Sequence, residues 1–169
     1  MKWKEQGAAA SDRYTVVPRT LIFITAESDL LLLRGAPTKR IWPARLNGIG
    51  GHLESSEDPL DGARREVREE TGLELDALTL RGLIHVAGHA PHPGVLLFVY
   101  VARTAKRAVK PSTEGALEWH PLHTLPYDEM VEDLPHLLPL LFGDDPCSMV
   151  YGSYQADADG EMSYHFQCL

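Results

Sequence analysis

The stretch that most restricts this chain runs from Gly51 to Leu73, GHLESSEDPLDGARREVREETGL. Within it Gly51, Glu57, Arg65, Glu66, Val67, Glu69, Glu70, Gly72 and Leu73 fall on one frame, G-x5-E-x7-R-E-U-x-E-E-x-G-U with U aliphatic. Asp58 is a good N-cap, Pro59 suits the first helical position and Gly72 a left-handed stop, so the spacing predicts a helix between them. On that helix Glu66, Glu69 and Glu70 share a face at i, i+3 and i+4, beside an apolar stripe of Leu60, Ala63 and Val67 that can dock on a sheet. Like charges on adjacent turns cost a helix roughly 0.2–0.5 kcal/mol per close pair, so helix stability gives no reason for them. A cation does. Mg²⁺ takes oxygen ligands and is usually held by a few carboxylates together with waters and substrate phosphates.

The frame and its surroundings resemble a known family. Gly51 to Leu73 is identified as a complete Nudix box, and from about Leu30 onward the chain is similar to the MutT-related branch that includes the mammalian 8-oxo-dGTP diphosphatase. LNGIGGHLE before the helix, DGARREVREETGLELDAL through it, Glu114 with Trp119, the PYDEM and LPLLF segments and the closing YGSYQADADGEMSYHF carry that likeness. It implies an α/β Nudix fold, a mixed β-sheet sandwiched between α-helices. It also implies Mg²⁺-dependent hydrolysis, with Mn²⁺ able to substitute, of a nucleoside triphosphate to the monophosphate and pyrophosphate.

Site residues follow from the same resemblance. Glu66 and Glu70 are expected as metal ligands together with the Gly51 carbonyl, and Glu69 as a ligand or as the base that activates water. Glu114 is the alternative base or a ligand to a second metal ion, and Arg65 orients the glutamates. Glu57 supports the loop and Arg65. Arg34, at a strand end, is a candidate phosphate contact, against the plainer reading of an exposed arginine. Asn47 matches a family asparagine whose amide can read a purine edge. The mammalian enzyme's tryptophan and two adjacent aspartates align with Val131, Asp133 and Leu134, so one carboxylate remains and the aromatic platform does not; Asp133 can also be read as a helix cap. Ser56 stands where relatives usually have glycine, a source of strain if that position needs positive φ. An 8-oxo-purine substrate is one expectation; ADP-ribose or a related nucleoside diphosphate derivative, and a nucleotide-binding module without catalysis, are the alternatives. Pro91 lies near where ADP-ribose hydrolases carry a marker proline.

Composition bounds the rest. With 169 residues, 44% hydrophobic and 24% charged, the chain suits one domain over residues 14–169 behind a flexible N-terminal segment, 1–13. A formal net charge of −8 supplies no basic field for duplex nucleic acid. The polar start MKWKEQGAAASDR and the lack of a membrane-length apolar run lead us to expect a cytoplasmic protein, a monomer or small homo-oligomer acting on a small nucleotide away from membranes. Cys147 and Cys168 lack metal-ligand spacing and read as buried or free thiols. His85, His89 and His92 read as loop or strand-end residues, and Trp42 and Trp119 as core or rim packing. Strands are expected over 14–25, 29–34, 77–86, 95–102 and 117–121, with 35–51 a loop. A second helix follows Pro135, with Leu137 to Leu141 as its buried face, and a hairpin spans 148–155 and 162–167.

Overall fold

The computed structural model of the chain describes residues 13–75, 77–88 and 92–169. Residues 1–12 of the expected N-terminal segment, His89 and Pro91 lie outside the described residues. One mixed sheet forms the middle layer, built from β1 (Val16–Ala26), β2 (Asp29–Gly35), β3 (Leu46–Asn47), β4 (Leu78–Val86), β5 (Gly94–Arg103), β6 (Gly115–Pro121), β7 (Val150–Ala156) and β8 (Met162–Cys168). Its order is β3-β2-β1-β5-β4-β7-β8, with β6 also paired to β2. β1 runs parallel to β5, and β4 parallel to β7; the other pairs are antiparallel.

A helix covers each face, which makes the expected α/β sandwich. The alternation of β1 divides its side chains: Ile22 and Ile24 meet Ala63 and Val67 of α1 (Pro59–Thr71), while Leu21 and Phe23 belong to the core that holds Leu134, Leu137 and Leu141 of α2 (Leu134–Phe142). Phe23, Ile22 and Ile24 are fully buried, so β1 is the spine of both cores.

The expected strands and helices form, with two differences. The 35–51 segment is not all loop, because Leu46–Asn47 adds to β2 and Ile49 bridges to Ile22. Cys147 and Cys168 are joined in a disulfide, with 5.3 Å between Cα atoms, and are not free thiols. The β7–β8 register pairs Val150 with Cys168 and so delivers the last strand to Cys147, a proximity that a spacing of 21 residues does not reveal. Ser56 is absent from the positive-φ residues, so the glycine its relatives carry is not conformationally required here.

Candidate active site

α1 is placed by its own sequence. The Asp58 carboxylate accepts from the Leu60 and Asp61 amides at 2.8 and 3.0 Å, and Gly72 closes the helix at φ 72°. With Ala63 and Val67 seated on the sheet, the three box glutamates receive unequal surroundings. Glu70 is 6% exposed, and its Oε2 is buried with no hydrogen-bond partner. Burial, reinforced by the charges of Glu114 and Glu66, pushes its carboxyl up to about 8, against the pull of Lys39 and the Gly50 amide. Glu66 is mostly buried, at 12% side-chain exposure, whereas Glu69 is 58% exposed.

Arg65 ties this face together. Its guanidinium donates to Glu57 at 2.7 and 3.1 Å, to Glu66 at 2.8 Å, to Glu69 at 3.1 Å and to the His52 carbonyl at 3.0 Å. Glu57 also accepts from the Glu54 amide, and Arg65 foremost holds its carboxyl down at about 2. The loop-supporting place expected for Glu57 is therefore the one it occupies. Glycines make the room. A Cβ at Gly62 would come within 2.9 Å of Glu57, and one at Gly51 would collide with the Glu66 carboxylate. Gly50, at φ 145°, lies so close to Thr20 that a side chain there would strike its carbonyl.

These groups fit a hard cation. A buried carboxylate oxygen with no donor is an acceptor in search of a partner, and an all-oxygen donor set suits Mg²⁺. The Gly51 carbonyl accepts the Thr20 amide at 2.9 Å and keeps a second lone pair. Among the described residues no three acidic or imidazole side chains make a ready cation cage. None is required where waters and substrate phosphates complete the shell.

Glu114 reaches the same cleft from the loop before β6, paired with Lys39 at 2.6 Å. It borders both a cavity of about 300 Å³ with Lys39, Trp42 and Asn47 and an acidic one of about 350 Å³ with Gly51, Glu66 and Arg65. A third, more apolar cavity of about 170 Å³ adjoins them, with Trp42, Asn47, Leu97 and Asp133 in its wall. Asn47 Oδ1 accepts the Gly48 amide at 2.7 Å, which leaves its NH₂ for a ligand. Asp133 stands at the N-cap of α2 without capping it. Its carboxylate instead accepts from the Tyr154 hydroxyl at 3.0 Å, and burial raises its pKa.

Arg34 is engaged by Glu118 at 2.6 Å and Glu129 at 2.8 Å and donates to the Ala44 carbonyl at 3.2 Å, and it is not among the residues that wall these three cavities. Val131 and Leu134 are buried in the core and supply no platform. Sequence reasoning missed Trp42 as a cleft residue. It is 48% exposed at φ 51°, not packed in the core, and its only sequence signal was an aromatic within a Gly/Pro/basic loop. Arg19, which borders all three cavities, was missed as well. Its signal was an arginine on the inward-facing row of a strand otherwise filled by Leu21 and Phe23. Trp119 does pack at the rim, donating to the Arg107 carbonyl at 3.1 Å, and His85 is a strand residue bonded to the Tyr14 hydroxyl at 2.7 Å.

A two-faced sandwich with a capped carboxylate helix beside a nucleotide-sized cleft defines a Nudix hydrolase. The NUDIX domain profile matches residues 16–141, and the chain belongs to that family. It is 30% identical over 128 residues to the oxidized purine nucleoside triphosphate hydrolase of Mus musculus, covering 72% of this chain and 77% of the mouse protein. The solved MutT protein of Bacillus halodurans superposes with a TM-score of 0.75 at 23% identity, over 90% of this chain and 98% of its own. The NUDIX domain of Shewanella oneidensis NrtR, solved with ADP ribose, superposes with a TM-score of 0.60 at 14% identity, over 82% and 95% of the two chains. Among the described residues no helix is long and apolar enough to cross a membrane.

Proposed function

We propose that this Nudix hydrolase is a Mg²⁺-dependent pyrophosphohydrolase of nucleoside triphosphates, with oxidised purine nucleotides as its substrate class. The observation that carries the reading is the buried, unpartnered carboxylate oxygen of Glu70, which feels the charges of Glu66 and Glu114, two residues that wall a cleft continuing to Asn47 and Asp133. Glu66, Glu70 and the Gly51 carbonyl would hold the metal, with Glu69 joined to that face through Arg65. A bound divalent ion supplies charge neutralisation on the phosphate chain and acidifies a water.

The chain's own groups do the rest. Arg65 keeps Glu57, Glu66 and Glu69 in fixed relation, so that little reorganisation is needed at reaction. Water adds to phosphorus, its proton passes to a carboxylate, and the anhydride bond between the α- and β-phosphates breaks to leave pyrophosphate and a nucleoside monophosphate. Both Glu69 and Glu114 have the chemistry to take that proton; the position of Glu114 in the cleft wall supports it as the base. Asn47 offers its NH₂ to the purine edge, and Trp42 offers a ring face in place of the platform missing at Val131. Asp133, whose carboxyl burial pushes above its ordinary value, supplies a second polar group on the cavity wall beside Asn47 for the base.

The deciding experiment gives 8-oxo-dGTP, 2-hydroxy-dATP, the unmodified dNTPs and ADP-ribose to the wild type and to Glu70→Gln, with products separated by chromatography. The expected result is Mg²⁺-dependent release of pyrophosphate, fastest from an oxidised purine triphosphate and lost in the folded variant. Faster cleavage of ADP-ribose, or equal and low kcat/KM on every triphosphate, would remove the oxidised-purine assignment. Undiminished turnover by Glu70→Gln would remove the metal site.

A further inference from the structure

Arg19 occupies the junction of the cleft. It lies on β1 in the same inward-facing row as Leu21 and Phe23, at the open end of that row. Its backbone is held on both sides, paired with Leu97 of β5 and bridged to His52. The side chain borders the cavity of Lys39 and Glu114, the one of Trp42 and Asp133, and the acidic one of Gly51 and Glu66. Its Nε is buried and has no hydrogen-bond partner. Of the other cations at these cavities, Lys39 is paired with Glu114, Arg65 with Glu57, Glu66 and Glu69, and Arg45 donates to the Asp128 carbonyl; Arg40 borders the cavity of Lys39 and Glu114, and Arg19 alone among them borders all three.

A buried N–H of a guanidinium requires an acceptor, and the planar fork suits the paired oxygens of a carboxylate or a phosphate, of which a nucleotide brings the phosphate. The position decides which phosphate. The carboxylate end takes the metal-bound part of the chain, and the cavity of Asn47 and Asp133 takes the base. The anionic group that falls between them is the phosphate attached to the nucleoside. We infer that Arg19 binds this α-phosphate and thereby sets the register of the phosphate chain against the carboxylates, an inference that rests on the nucleotide reading above. It gives the cleft a means of telling a nucleotide from a nucleoside that is independent of the metal.

The α-phosphate stays on the product when pyrophosphate leaves, so the contact can be measured without metal and without turnover. Calorimetry in EDTA would compare each deoxynucleoside, natural and 8-oxo-guanine, with its 5′-monophosphate. In the wild type, phosphate is expected to tighten binding by about tenfold or more for at least one base. Arg19→Gln is expected to reduce that increment to within about twofold and leave nucleoside affinity unchanged; Arg19→Lys should retain part of it, with a steeper loss in salt. Equal weakening of nucleoside and monophosphate would assign Arg19 to the base and overturn the inference. An unchanged increment in Arg19→Gln, or no increment in the wild type, would also overturn it. Should Arg19→Gln fail to melt cooperatively, the wild-type increment and the Lys variant decide alone. Failure of the wild type to hydrolyse any triphosphate would sink the proposed function while leaving this increment to be judged separately.

Discussion

A methyl group at position 51 has nowhere to go, because the Glu66 carboxylate already fills the space where it would stand. Gly51→Ala must therefore push Glu66 off its line with Glu70 and Arg65. Displacements near 1 Å at a reacting centre cost about 10²-fold, so kcat/KM for the preferred triphosphate should fall by about that factor, with only a small drop in Tm. An activity within threefold of wild type, in steady-state assays at saturating Mg²⁺, would mean that Glu66 is free to move without consequence. Trp42 carries a different burden. Its exposed ring on the wall of the Asn47 cavity can stack on a base, a contact worth roughly 1–3 kcal/mol elsewhere. Trp42→Ala should raise KM for a purine triphosphate and spare kcat. A fall in kcat at constant KM would show that the ring serves the chemistry and not base binding.

At the scale of elements, the disulfide joins the end of β8 to the segment before β7. Closing a loop of this length restricts the unfolded chain and contributes about 3 kcal/mol. Cys168→Ser should lower Tm, and dithiothreitol should lower the wild type to the same value; equal melting of all three would mean that the bond contributes nothing. Such bonds persist in oxidising surroundings, which bears directly on the cytoplasmic location expected from the polar N-terminus. The disulfide also marks where sequence reading ended. α1 was legible because Asp58, Pro59, the Leu60–Ala63–Val67 stripe and Gly72 each act over a few residues. The disulfide was not, since only the β7–β8 register brings Cys168 home. The ion pair of Arg34 was hidden for the same reason: Glu118, 84 residues later, reaches it only once β6 pairs with β2. The 35–45 segment is held by Gly35 with Arg45 and by the Arg34 contact to the Ala44 carbonyl, so the positive φ of Trp42 and Ala44 is a tertiary property with little local signature.

At the scale of the whole molecule, Glu70 couples folding to protons and metal. An ordinary glutamate titrates near 4.5, whereas the folded protein holds the Glu70 proton to about 8. Between these values the folded state binds more protons than the unfolded one. The contribution of this group to stability is therefore most favourable below 4.5, declines as pH rises through the window and is constant above 8. A divalent cation acts in the opposite sense, because it binds the carboxylate and must displace the proton. Its apparent affinity should rise about tenfold per pH unit until pH 8 and then flatten. Thermal melts from pH 5 to 9, in EDTA and in Mg²⁺, read both effects. The stabilisation by Mg²⁺ should widen up to about pH 8 in the wild type and vanish in Glu70→Gln. That variant also removes Glu70 from the pH slope in EDTA, so it separates this carboxylate from Asp133, whose burial shifts it in the same direction. A Mg²⁺ effect of the same size at every pH, or one that survives in Glu70→Gln, would detach metal binding from the buried carboxylate and move the centre of the site to Glu66 and Glu114.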